Sequence, residues 1–376
     1  MSEVYELTLT TNYVSDWTLN DAIRELIQNG TDQEIMDPGN TFSINYDAAS
    51  QCLTLSNIRS KLSVNTLLLG RSSKANNVST VGQFGEGYKI AALVLTRLGH
   101  DFIIHNNEKY EVWRARFKNS EKWKEKILAF YIDKVETQER GLTVKITNIT
   151  QDEYFDLQDT WLGFTNPSED NVAHTQFGDI LKEEDYKGNI YVNGLYIEHN
   201  YDLRYGYNIK PAYVTVERDR HTCSSWDVGT CTAKMIAEAM VTGQLDMETV
   251  TTMVHEECDD VRYLEYNTCN NNVAEVKKVL VNKFNEQYQG KNVIPVNNEA
   301  QSRRVKALGG TPVVVPSKVY SMLQSVANER MNALDKLPED TDLTLKQQFQ
   351  RWYDAYSDDL DASPRTALAE LINKID

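Results

Sequence analysis

Over roughly its first 150 residues the chain alternates two hydrophobic periods, 3.6 and 2, and only a layered α/β arrangement accommodates both. The helical period runs from Thr18 to Ile35, where Thr18 and Asp21 have capping-box spacing and Pro38-Gly39 stops the segment. A hairpin follows, Thr41 to Tyr46 and Cys52 to Ser56, joined by the polar link DAASQ. A second helix is expected from Gly87 to Gly99, its C′ glycine. Strands are expected at Asp101 to His105, Lys109 to Phe117, Ile127 to Val135 and Gly141 to Thr147.

The polar run NPSED, Asn166 to Asp170, marks a boundary. Short strands are expected beyond it, at Asn189 to Glu198 and Pro211 to Val216, and helices from Trp226 onward. Asn292 to Val296 and Thr311 to Val315 flank a helical stretch, as in a small β-α-β piece. A length of 376 residues suits two or three domains. The division expected is 1–165, an α/β sandwich; 166–222, a small α+β segment; and 223–376, mainly helical.

A formal net charge of −16 disfavours a protein that coats nucleic acid through general electrostatics. Two local basic groups remain, Arg204, Lys210, Arg218 and Arg220, and Arg303, Arg304 and Lys306. The start MSEVYELTLTTNY has no basic or apolar signal region, and the most apolar run, Ile90 to Leu95, is too short to span a bilayer. With five cysteines, an odd number, this predicts reduced thiols in the cytoplasm, or in a host's cytoplasm if the chain is viral.

Within the first helix, AIRELIQNGTD places Glu25, Asn29 and Asp32 at i, i+4 and i+7, on one side. Ile23, Leu26, Ile27 and Gly30 lie on the other and can pack on a sheet. A carboxylate, a carboxamide and a second carboxylate suit a hard cation and a general base; the alternative is an amphipathic surface helix with an arbitrary polar side. Further on, VGQFGEGYKIAALVL gives Gly82, Gly85 and Gly87 the spacing G-x-x-G-x-G directly before an apolar helix. Glycines let backbone N–H groups approach phosphate oxygens at a helix N-terminus, and Lys89 lies in the first turn.

Taken together, E-L-x-x-N-x-x-D and GQFGEGYK resemble the N box and G2 box of the Bergerat-fold ATPases, the gyrase, heat-shock chaperone, histidine kinase and MutL superfamily. LGRSSK (Leu69 to Lys74) resembles that family's lid segment, and GLTVKIT its late G-T-x-V strand. The resemblance covers residues 18 to 150 and implies a sandwich with helices on one face of a mixed sheet. It implies ATP with Mg²⁺, Glu25 as the base that activates water, Asn29 as the Mg²⁺ ligand and Asp32 as a pocket-wall carboxylate. Ser73, Lys74, Gly82, Gln83, Phe84, Gly85, Glu86, Gly87, Tyr88 and Lys89 would line the phosphate side. Members of this design often dimerise on binding ATP, so a nucleotide-gated homodimer and a protein partner for the C-terminal region are expected.

The pattern departs from the family at the adenine strand. The family's D-x-G-x-G reads Asn57, Arg59 and Lys61 here, so adenine recognition would pass to the Asn57 carboxamide. Its oxygen can accept from an adenine amine, or the amide can turn and donate to another base. Arg59 and Lys61 would bring positive charge to the pocket mouth or face solvent. YVNGLYIE resembles the second domain of MutL-type ATPases, which makes Lys210, Arg218 and Arg220 candidates for reaching a γ-phosphate, the alternative being an ion-paired edge strand. His221, Cys223, Cys231, His255 and Cys258 lack the paired C-x₂-C knuckles of structural zinc sites and read as core thiols. The sequence thus predicts an ATPase, with a non-hydrolysing nucleotide-dependent interaction module as the alternative.

Overall fold

The capping box at Thr18 is where the first long helix begins. Thr18 accepts from the Asp21 amide, and the Asp21 carboxylate accepts from the Thr18 amide at 2.7 Å. The computed structural model describes residues 2–68, 87–216, 222–267, 269–290, 292–336 and 343–375. Along the chain these form strand β1 (Glu3–Thr10), helix α1 (Leu19–Met36), β2 (Phe42–Asp47), β3 (Cys52–Asn57), α2 (Gly87–Leu98), β4 (Asp101–Asn106), β5 (Glu111–Asn119), β6 (Lys126–Lys134) and β7 (Leu142–Thr147). Short helices α3 (Gln151–Asp156) and α4 (Leu162–Thr165) precede β8 (Val172–Thr175), β9 (Gly178–Leu181), β10 (Asn189–Val192), β11 (Leu195–His199) and β12 (Gly206–Ile209). The remainder is α5 (Ser225–Val241), α6 (Met247–His255), α7 (Asn271–Gln287), β13 (Val293–Val296), α8 (Glu299–Ala307), β14 (Thr311–Val314), α9 (Ser317–Asp335), α10 (Leu345–Tyr356) and α11 (Ala362–Asn373).

Packing divides the chain into two units, one of residues 1–172, 189–199 and 206–224, the other of 173–188, 200–205 and 225–376. The first unit is an α/β sandwich built on a seven-stranded sheet of order β1-β6-β5-β4-β7-β3-β2. α1 packs on β2 and β3, α2 on β4 and β5, and the two helices pack on each other, which puts both on one face. The sheet was expected to be mixed, but each of its pairings is antiparallel. The reason is topological. β3 and β4, on either side of α2 in the chain, run parallel to each other, and β7 inserts between them antiparallel to both.

The core of this unit follows the periodicity. Leu53 and Leu55 of β3, Phe102 and Ile104 of β4, Trp113 of β5 and Phe130 of β6 are buried. Trp113 and Phe130 meet edge-on at 6.2 Å. Residues after β7 cover the β2 edge with rings: Tyr154 stacks on Tyr46 at 4.2 Å, and Trp161 meets Phe42 edge-on at 5.7 Å. In the same unit β10 pairs antiparallel with β11 and parallel with β12. The V-N-G element is the turn of the β10–β11 hairpin, with Asn193 at φ 52° and Gly194 at φ 78°, as a two-residue turn with both centres left-handed demands. Pro211 to Val216 was expected as a strand; Pro211–Tyr213 instead form a short 3₁₀ turn, because proline opens the first turn of a helix but cannot donate to a ladder.

The second unit, taken by itself, is mainly helical. β8 is hydrogen-bonded to β9, and β13 pairs in parallel with β14 across the α8 crossover, the β-α-β piece read from the sequence. The fully buried Asp260 carboxylate accepts from the amides of Arg204 at 2.8 Å and Tyr205 at 3.3 Å. Cys231 is buried, and burial pushes its thiol pKa up to about 12. No helix among the described residues is long and apolar enough to cross a membrane.

Candidate functional site

α1 is not a surface helix. Residues 22–28 and 30–32 are all buried, and the buried set includes Arg24, Glu25, Gln28 and Asp32. Charged side chains are seldom fully buried without a task or a partner, so the alternative of an arbitrary polar side does not hold. Ile23, Leu26 and Ile27 join the core, and Gly30 lies flat against the Phe42 ring. Asp32 is fully buried and Glu25 is 5% exposed, while Asn29, between them, is partly open.

The second motif reaches this face through Gly87, the first residue of α2. A Cβ built on Gly87 would run into the Glu25 carboxylate at Oε2, and would stand 3.2 Å from Asn29 Nδ2. Two motifs about fifty residues apart in sequence therefore meet at one point, where any larger residue would displace the Glu25 carboxylate. The start of α2 at Gly87 lies against a carboxylate and a carboxamide of α1. Asn29 Nδ2 donates to the Glu25 carbonyl at 2.8 Å, which holds the nitrogen against its own helix and turns Oδ1 off it. The oxygen donors here, a carboxamide beside a carboxylate, match a small hard cation such as Mg²⁺. Among the described residues no group of three or more His, Cys, Asp or Glu side chains could hold a metal by itself.

Asn57 ends β3 and is buried. Its Nδ2 donates to the carbonyls of Gly30 at 3.0 Å and Asn40 at 3.2 Å. With both amide hydrogens directed at carbonyl oxygens, the carboxamide presents its own oxygen, an acceptor, on the other edge. The freedom to turn, one of the two options open from sequence, is removed: reversal would set oxygen against two oxygens. Gly141, at φ 71°, approaches the backbone of Asn57 and Ile58 so closely that any Cβ would clash there.

The loop after β3 lacks the two glycines of the related motif and is held by side chains instead. Asn40 Oδ1 accepts from the Arg59 amide at 2.8 Å, and Asn40 Nδ2 donates to Ser60 at 2.8 Å. Asn106, fully buried, accepts from the Leu62 amide at 3.1 Å and donates to the Leu62 carbonyl at 3.0 Å, imitating one rung of a ladder. Glu111 accepts from Asn106, from Trp113 Nε1 at 2.9 Å and from Lys134 at 2.6 Å. Burial alone would raise its pKa, but the hydrogen bonds from Lys134 and Trp113 hold it below the ordinary 4.5. Arg59 is exposed and lies 3.6 Å from Asp37 at the end of α1, and Lys61 is exposed.

Lys89 is fully buried, and its ammonium donates to the carbonyls of Thr66 at 2.9 Å and Leu68 at 2.7 Å. Tyr88 lies 2.9 Å from Thr66 Oγ1, its phenol pushed up to about 12 by burial. The first turn of α2 is thus tied to residues 66–68. Lys210 is exposed just beyond β12. Ser73, Lys74, Gly82, Gln83, Phe84, Gly85 and Glu86, with Arg218, Arg220 and His221, lie outside the described residues. Asn40, Asn106 and Arg97, the last gripping the chain ahead of α1, were not visible from motif spacing.

A domain family described as the Mycoplasma pneumoniae MPN635 N-terminal domain matches residues 152–240. A protein of Mycoplasma pneumoniae (strain ATCC 29342 / M129 / Subtype 1), described as uncharacterized, is 24% identical over 220 residues, 56% of this chain and 87% of that protein. Among solved structures, the ATPase region of Saccharomyces cerevisiae topoisomerase II bound to ICRF-187 (dexrazoxane) is similar with a TM-score of 0.34 and 10% identity, over 47% of this chain and 62% of that one. A second structure of the same ATPase region gives the same figures, TM-score 0.34, 10%, 47% and 62%. The ATPase and transducer domains of DNA topoisomerase II from Balamuthia mandrillaris are similar with a TM-score of 0.30 and 13% identity, over 52% of this chain and 66% of that one. The chain therefore spans less than two thirds of each of these structures.

Proposed function

We propose that the first unit binds ATP with Mg²⁺ at the junction of α1 and α2 and hydrolyses it to ADP and phosphate. The observation that carries this reading is the contact of Gly87 with Glu25 and Asn29, which brings the start of a helix, a buried carboxylate and a carboxamide to one point. Asn29 would hold the Mg²⁺ that arrives with the nucleotide, and that ion would supply charge neutralisation on the phosphates. Glu25 would accept the proton of the attacking water, and Asp32 would keep the inner wall polar. The Asn57 oxygen would accept from the adenine amine. Its fixed orientation supports adenine over guanine, whose carbonyl at the same place would meet an oxygen.

Two further elements belong to this reading. The division into 1–165, 166–222 and 223–376 would couple the nucleotide site to a partner-binding C-terminal region, and the ATP-bound protein would form a homodimer. Light scattering with a slowly hydrolysed ATP analogue tests this, and an unchanged monomer mass refutes it. The cysteines are free thiols, which accords with a cytoplasmic location.

A second reading, a non-hydrolysing nucleotide-dependent module, is favoured by one observation. The Lys89 ammonium is bonded to Thr66 and Leu68 carbonyls, where the first reading from sequence had it on a phosphate. Glu25→Gln separates the two readings. It keeps size and hydrogen bonding but removes basicity, so ATP binding should persist while phosphate release falls about 10²–10⁴-fold. Equal release from both proteins refutes Glu25 as base. ATP binding without release by the wild type selects the module.

A further inference from the structure

We propose that Arg97, in the last turn of α2, is a positioning residue for the Glu25–Asn29 face, acting through the segment that leads into α1; the proposal rests on the nucleotide reading above. Its guanidinium donates to four carbonyls of that segment. Nη1 reaches Thr11 at 3.3 Å and Tyr13 at 3.0 Å, and Nη2 reaches Val14 at 3.0 Å and Trp17 at 3.1 Å. A planar fork with fixed N–H directions suits four acceptors spread over seven residues; a single ammonium does not.

The gripped segment would not hold this shape unaided. Val14 sits at φ 46°, a left-handed conformation that a β-branched side chain adopts only when its surroundings enforce it. Two tight turns flank it, closed by Tyr13 N to Thr10 O and Trp17 N to Val14 O, both 3.1 Å. The chain then passes directly into Thr18, the capped start of α1. α2 consequently meets the α1 region at both of its ends. Gly87 touches Glu25 and Asn29, and ten residues further on Arg97 fixes the entry to the helix that carries them. The register of one helix on the other is set at these two points, and with it the alignment of Asn29 Oδ1 and the Glu25 carboxylate to the α2 N-terminus.

The test compares ATP affinity with Mg²⁺ and in EDTA for wild type, R97A and the milder R97K, at a temperature well below each melting transition. A residue that only stabilises the fold would change both affinities alike. A positioning residue changes the part that depends on the metal. The expected result is that R97A loses most of the Mg²⁺-dependent gain, roughly tenfold or more, while affinity in EDTA stays within about threefold. R97K should behave like R97A, and free guanidinium at millimolar concentration should restore part of the gain to R97A alone. Amide exchange of residues 11–17 should quicken in both variants. An intact Mg²⁺ gain in R97A, or equal weakening under both conditions, overturns this proposal while leaving the ATP reading in place. Absence of any ATP binding by the wild type overturns that reading, and the proposal with it.

Discussion

Replacing Gly87 by alanine separates the site from the fold. The added Cβ falls inside the contact distance of Glu25 Oε2 and stands 3.2 Å from both Glu25 Cδ and Asn29 Nδ2. The obstructing atom is the end of a flexible side chain, so the carboxylate retreats, by about an ångström and a half, to reach ordinary contact. The backbone does not resist, because Gly87 opens an α-helix in which alanine is preferred to glycine by roughly 0.5–1 kcal/mol. Strain and propensity therefore offset each other, and the melting temperature should stay within a few degrees, about 2–4 °C per kcal/mol. Catalysis has no such compensation. A displacement of about an ångström at a reacting group costs on the order of 10²-fold. Phosphate release at saturating Mg·ATP should fall about a hundredfold in G87A, with ATP affinity changed only several-fold. A folded G87A that releases phosphate at the wild-type rate would refute the reasoning, because the carboxylate it must displace would then have no part in the chemistry.

Asn57→Asp removes two donors and sets a carboxylate oxygen against the Gly30 and Asn40 carbonyls, so it should destabilise by about 1–3 kcal/mol, read by denaturant titration, rather than improve ATP binding as closeness to the related motif would suggest. In the wild type, GTP should compete poorly with labelled ATP; equal competition would show that the Asn57 oxygen does not read the base. Glu111 contributes through its lowered pKa: its stabilisation is fully present above the ordinary 4.5 and is lost as pH falls through the lower folded value. E111Q should therefore be less stable than wild type at neutral pH, by about 1 kcal/mol since Lys134 is largely exposed, and the gap should close as pH falls below 4.5 and through the lower folded value.

Much of the first unit was legible because its signals are local. The capping box at Thr18, the stop at Pro38-Gly39 and the hairpin around DAASQ each depend on neighbours in the chain, and the structure has α1 at Leu19–Met36 and the hairpin at Phe42–Asp47 and Cys52–Asn57. β1 was overlooked although Leu7 and Leu9 alternate inward, because charged and hydroxyl residues between them dilute the pattern. β8, β9 and β12 are four residues each, too short to show a period. Strand order was not readable: β7 arrives last yet enters between β4 and β3, and nothing in its own residues says so.

The site divides in the same way. Glu25, Asn29 and Asp32 share a helical face and could be listed from spacing alone. Lys89 looked like a phosphate contact because a cation follows a glycine-rich turn, but its reach is taken up by the carbonyls of Thr66 and Leu68, a long-range contact. Asn40 and Asn106 hold the loop after β3 by hydrogen bonds to its backbone, and in sequence a buried carboxamide is indistinguishable from a surface one.

The central claim, that ATP and Mg²⁺ bind where α1 meets the start of α2, is tested most directly by thermal shift of wild type and Asn29→Ala with ATP alone and with ATP plus Mg²⁺. Ligand that binds only the folded state raises stability by about 2.7 kcal/mol at a hundred times its Kd. The account predicts a rise in melting temperature for wild type that grows when Mg²⁺ is added, and the loss of that added increment in Asn29→Ala. No shift of the wild type at millimolar Mg·ATP, or an undiminished Mg²⁺ increment in Asn29→Ala, would contradict it.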